Sequence, residues 1–140
     1  MSTFKLFFLL IAALNLHCVS VTTISFAEDK KVAEESTLTF HRLLNEGKYD
    51  ELYDLTDSRA KATKSKQGFI NVMTQVRTQF GKLMDASLVD SSVISRSDYR
   101  EVHSVYRAQF ENGIRLEKFV WYVNDRKAGL FMYQTDVLED

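Results

Sequence analysis

Proline is absent from the 140-residue chain, and its five glycines stand singly. No proline-rich linker, internal repeat or low-complexity tract divides it, and glycines so scattered form no phosphate-cradling loop. Cysteine occurs once, at Cys18, which excludes a disulfide framework. Neither sign of charge dominates: 18 Lys and Arg stand against 19 Asp and Glu. A near-neutral chain has no electrostatic footprint for nucleic acid or an anionic membrane, and neither is expected as a partner. Of three histidines, His41 and His103 lie in the body of the chain without His or Cys companions at ligand spacing. No metal or other cofactor is expected from them. Serines and threonines are plentiful, but none sits in a nucleophile motif with a histidine.

The N-terminus reads MSTFKLFFLLIAALNLHCVSVTTISFAEDK. Lys5 precedes an apolar run from Leu6 to Leu16, and Ser25-Phe26-Ala27 places small residues at the minus-three and minus-one positions. This pattern predicts a secretory signal peptide over residues 1–27, cleaved after Ala27. The run is shorter than the roughly 20 residues of a membrane span, so an uncleaved anchor is the runner-up. Lipidation of Cys18 is a weaker alternative, because His17 is bulky where a small residue is needed. Removing 27 of 140 residues leaves 113, residues 28–140, as a single domain with no cysteine. Such a domain depends on its core alone, and the compartment expected for it is periplasmic or secreted, without a membrane attachment after cleavage.

The rest of the chain changes grammar once. Val32, Ser36, Phe40 and Leu43–Leu44 recur at helical spacing, and Gly47 suits a C-terminal cap. KYDELYDL predicts a second, short helix. Thr56 to Gln67 has almost no apolar content and reads as an exposed, mobile stretch, its Arg59, Lys61, Lys64 and Lys66 a solvated face rather than a contact for an anionic partner, the weaker alternative. Ser65 caps a third helix with the stripe Phe69, Val72, Met73, Val76 and Phe80, ended by Gly81. From Lys82 onward the period is two, with tight turns at Asn112-Gly113 and Asn124–Lys127. The expected fold is α+β: three N-terminal helices packed on a curved antiparallel sheet of about four strands.

A two-residue turn at Asn112-Gly113 pairs Glu111 with Ile114 and puts Val102, Tyr106, Ala108, Phe110, Phe119, Trp121 and Val123 on the face toward the helices. Arg115 and Glu117 share that face. The other face carries Val105, Val120 and Tyr122, joined by Phe131 and Tyr133, an apolar patch that predicts an interface, in its simplest form a homodimer. Tyr106, Phe119 and Trp121 are core residues or one wall of a pocket. Glu117 is the informative position, because an unpaired buried carboxylate costs several kcal/mol. It sits either at the wet end of the sheet, paired with Arg115 or another cation, or in a polar cavity. His41 reads as a helix-surface residue flanking the core.

With FHRLLNEGKYDELYDLTD, a third helix closing on FGKL, and FVWYVNDRKAGLFMYQ in place, the chain resembles the nuclear transport factor 2-like superfamily, and within it small exported bacterial domains. The resemblance spans Val32 to Gln134. It implies three helices on a bent sheet, a pocket between them, and dimerisation through the outer sheet face. The chain departs from the pattern in having Ala128-Gly129 where many members carry a Trp in the last strand; its Trp121 lies one strand earlier. No catalytic residue of the family's isomerases maps onto a motif here. Two functions follow: a non-catalytic module for a small apolar ligand or protein partner, or a small isomerase or hydrolase with Glu117 as acid/base and Tyr106 and Trp121 lining its pocket.

Overall fold

The computed structural model describes residues 17–137, which form an α+β domain with four helical segments ahead of a four-stranded antiparallel sheet. Two helices are long, α1 (His17–Glu46) and α4 (Lys66–Phe80); α2 (Tyr49–Asp54) and α3 (Ser58–Lys61) are short. α1 begins well upstream of the expected Val32. The signal-peptide expectation falls largely outside the described residues, which exclude 1–16; the expected cleavage point lies within α1. Directly after it, Glu28 reaches Arg126, in the turn that follows Asn124, at 2.8 Å and Asp29 reaches Arg100, on the sheet, at 3.2 Å. Among the described residues no helix is long and apolar enough to cross a membrane.

Helix boundaries follow local chemistry. Ser65 Oγ accepts the Gly68 N–H at 3.1 Å and starts α4, and Gly81, at φ 77°, ends it. Along α1 the buried positions are Asp29, Ala33, Thr37, Phe40, His41, Leu43 and Leu44, one stripe at spacings of three and four. The stripe is half polar, which matters below.

The strands β1 (Leu83–Ser95), β2 (Arg100–Phe110), β3 (Gly113–Asn124) and β4 (Lys127–Val137) lie in the order β1-β2-β3-β4, a plain meander. The hairpin register differs from expectation: Phe110 pairs with Gly113, Tyr106 with Glu117, and Val102 with Trp121. The turn residues are therefore Glu111 and Asn112. The cause is the end of α4. The Asn112 N–H and side-chain amide donate to the Phe80 and Gln79 carbonyls, both at 3.0 Å, while Glu111 accepts the Lys82 N–H at 2.7 Å. The turn is thus committed to capping the helix. A slip of two residues preserves strand parity, so both faces keep their expected β2 and β3 residues.

In β4 parity does change. A bulge at Phe131 lets Met132 pair with Val120 and Leu130 with Trp121, so Tyr133 falls opposite Phe119, on the helix face. The expected outer-face position of Tyr133 is corrected by that one extra residue. A second correction concerns Thr56 to Gln67. Its beginning is docked: Thr56 bridges Leu130 in parallel, the Asp57 N–H donates to the Leu130 carbonyl at 2.9 Å, and the Leu130 N–H donates to Leu55 at 2.7 Å. Gly129 permits this approach, since a Cβ there would stand 2.9 Å from Asp57 Cα.

The core between α1 and the sheet holds Phe40, Leu44, Phe110, Phe119 and Trp121, with Leu52 and Met73 brought in by α2 and α4. Each such side chain contributes about 1.5–3 kcal/mol on burial, enough to explain a domain without cross-links.

Candidate functional site

Polar groups gather inside this core. Glu117, on β3, is 0 % exposed, and both its carboxylate oxygens are engaged. His41 Nε2 donates to Oε2 at 2.7 Å from α1, and the Tyr133 hydroxyl donates to Oε1 at 2.8 Å from β4. Burial, the Glu117 charge and that hydrogen bond hold Tyr133 well above the usual phenol range, so it remains a donor. One turn up α1, Thr37 accepts the Trp121 indole N–H at 3.0 Å and passes its own hydrogen to the Ala33 carbonyl at 2.9 Å. Rings of Phe40, Tyr106 and Phe119 surround His41, with centroids 5.7–6.0 Å away. A carboxylate satisfied by two donors inside an aromatic box is stable there, whereas either donor's loss leaves a dry charge short of a partner.

Tyr133 links this network to a cavity of about 270 Å³ between α3, α4 and β4. Its ring borders the cavity while its hydroxyl turns inward to Glu117. The other walls are mostly apolar, from Phe69, Val72, Met73, Leu130 and Phe131. A second, polar hollow of about 340 Å³ lies across the Leu55–Asp57 segment, between Asp54, Asp57, Arg59, Tyr99 and Asn124. There the Arg59 guanidinium, exposed as expected, stacks on Tyr99 at 3.9 Å.

Of the expected pocket residues, the fold brings together Glu117, Tyr106, Phe119 and Trp121. Arg115 stands apart, its guanidinium over the Phe80 ring at 4.5 Å, and it is not the partner of Glu117. The partner is His41, buried rather than on the helix surface. None of the five lines either cavity. On the outer face Val105 is half-buried, but Val120 and Tyr122 are only 6 and 9 % exposed. Tyr122 is covered within the chain, between the rings of Tyr99 at 4.4 Å and Phe131 at 4.3 Å; burial and the Tyr99 hydrogen bond push its phenol up to about 12. The outer face therefore offers a partner less apolar area than residue types alone imply. Exposed apolar side chains concentrate instead on the edge strand β1, at Met84, Leu88, Val89 and Ile94.

Sequence reasoning missed His41, Tyr133 and Thr56. The first had a readable signal, since Thr37 and His41 continue the Asp29–Ala33 ladder every fourth residue. For the other two the one hint is Gly129, an isolated glycine inside a strand, which signals a bulge or a close backbone approach. No protein-family model matches the chain, and no curated protein matches it in sequence. The site's geometry and chemistry are thus the whole ground for a functional reading.

Proposed function

We propose that the chain is an exported, non-catalytic binding module of nuclear transport factor 2-like type, taking a small apolar molecule into the cavity between α3, α4 and β4. The supporting observation is the cavity itself: mostly apolar walls, a few polar groups, and about 270 Å³, just below the ~300 Å³ where ligand sites begin. The catalytic alternative needs Glu117 to meet a substrate. A sealed carboxylate with both oxygens bonded favours the structural role instead. The test is methyl-detected NMR titration with 1-octanol, read at Met73 and Val72. The expected result is saturable shifts confined to cavity residues and abolished by Val72→Trp, which fills the space. Scattered shifts, or shifts that survive the substitution, would end this reading.

A protein-interaction role is favoured by β1, a 13-residue edge strand with exposed Met84, Leu88, Val89 and Ile94. In its simplest form a second copy pairs there, rather than on the outer face. Native mass spectrometry of the wild type, Val89→Lys and Val105→Glu separates the two surfaces: loss of dimer in the first variant alone supports the edge, in the second alone the face.

A further inference from the structure

Thr56, Lys64 and Ser65 are among the residues lining the same cavity, and no carboxylate is. Thr56, which borders both this cavity and the neighbouring hollow, is 8 % exposed, and its buried hydroxyl has no hydrogen-bond partner among the described residues. A buried hydroxyl without a partner is uncommon in native proteins and marks a place where a polar atom is accommodated. Lys64 lines the cavity too and belongs to no ion pair among the described residues, whereas Lys66 beside it is held by Asp50 at 2.6 Å. Ser65 completes the group as the cap of α4, a 15-residue helix whose first turn borders the cavity at Ser65, Gly68 and Phe69. One of them, from Gly68, is taken by Ser65 Oγ; those of Lys66 and Gln67 have no intrahelical acceptor. An ammonium, a hydroxyl and a helix N-terminus together favour negative charge. The carboxylates of Asp54 and Asp57 line the neighbouring hollow instead.

We infer that the ligand of this cavity is an amphiphilic carboxylate, with its anionic head at Lys64, Thr56 and the start of α4 and its apolar body along Phe69, Val72, Met73 and Phe131. This rests on the binding reading above and adds the chemistry of the head group. The volume holds about nine groups the size of a water, which matches a short aliphatic or single-ring acid. Lys64 supplies a compact point charge that tolerates different chain lengths, so selection by head group is sharper than selection by tail.

Isothermal titration of the whole protein with octanoate, 1-octanol and octylamine tests the assignment. Octanoate should bind about tenfold tighter than octanol, the worth of one charge-assisted contact, and octylammonium least. Lys64→Met should remove the tenfold preference and leave octanol binding as it was. Thr56→Val should weaken octanoate severalfold while raising the melting temperature of the ligand-free protein, because it deletes an unpartnered hydroxyl. That pairing of opposite effects separates ligand contact from mere destabilisation. Equal affinity for octanoate and octanol overturns the head-group assignment and leaves the cavity reading standing. Binding of neither overturns both.

Discussion

Replacing Glu117 and His41 singly and together by leucine measures what holds the centre of the fold. Glu117→Leu leaves two donors, His41 Nε2 and the Tyr133 hydroxyl, without an acceptor in the buried core. At about 1–3 kcal/mol for each unsatisfied group, the loss is about 4 kcal/mol. His41→Leu leaves the carboxylate with Tyr133 alone, and an uncompensated buried charge costs about 3–5 kcal/mol. The double substitution leaves one orphan, the Tyr133 hydroxyl, so it should cost only about 1–3 kcal/mol, less than either single change. Adding Tyr133→Phe should recover most of that. The resulting coupling between the two sites exceeds about 3 kcal/mol, at the top of what neighbouring pairs show. Urea unfolding followed by the fluorescence of Trp121, the only tryptophan and fully buried, reads each variant directly. If the two single losses simply add in the double variant, the side chains contribute as packing volume and the electrostatic account of the network is wrong.

Three further outcomes follow from the same geometry. Tyr133 and Tyr122 have folded pKa values raised above the usual phenol, well above it for Tyr133 and about 12 for Tyr122. Above pH 10 the unfolded chain therefore releases protons that the folded chain retains, and stability falls by up to about 1.4 kcal/mol per pH unit for each, starting near pH 10. Denaturant midpoints from pH 9 to 11.5 should show this slope, reduced but not abolished in Tyr133→Phe because burial raises Tyr106 as well; a flat profile contradicts the burial of these rings. Gly129→Val should drive Asp57 off β4, cost more than about 1 kcal/mol, and expose the Asp57 and Leu130 amides to fast hydrogen exchange. Arg126, at φ 60°, sits in the left-handed region and its ion pair with Glu28 is exposed, so Arg126→Gly should stabilise by up to about 1 kcal/mol; a lowered urea midpoint refutes the strain argument.

The architecture was legible because the period of the apolar residues changes at Lys82, and because a slip of two residues leaves every β2 and β3 side chain on its expected face. Tyr106, Phe119 and Trp121 were placed correctly for that reason. The site was not legible, and the reasons are particular. His41 and Glu117 are 76 residues apart, and an apolar count along α1 passes over the polar Thr37 and His41 in its buried stripe. Tyr133 is displaced by a bulge at Phe131, and the one local hint of it is Gly129, an isolated glycine inside the strand two residues earlier. Thr56 opens a stretch of polar composition, and its backbone meets Leu130 beside that same glycine. A lone glycine signals an irregularity or a close approach without saying which partner arrives, so the pairing itself stays out of reach of a single sequence.

The two margins of the sheet are dressed differently. Beside β4, the Thr56 bridge meets Leu130, near the start of that strand. Beside β1, side chains of α1 stand where a neighbouring strand would: the Asn45 amide donates to the Leu83 carbonyl at 2.9 Å while its oxygen accepts the Leu83 N–H at 2.8 Å, and Lys30 donates to the Ser91 carbonyl at 2.8 Å. Backbone groups by which an edge strand could recruit another are thus already occupied within the molecule, so the helix that builds the core also blunts part of the sheet's margin.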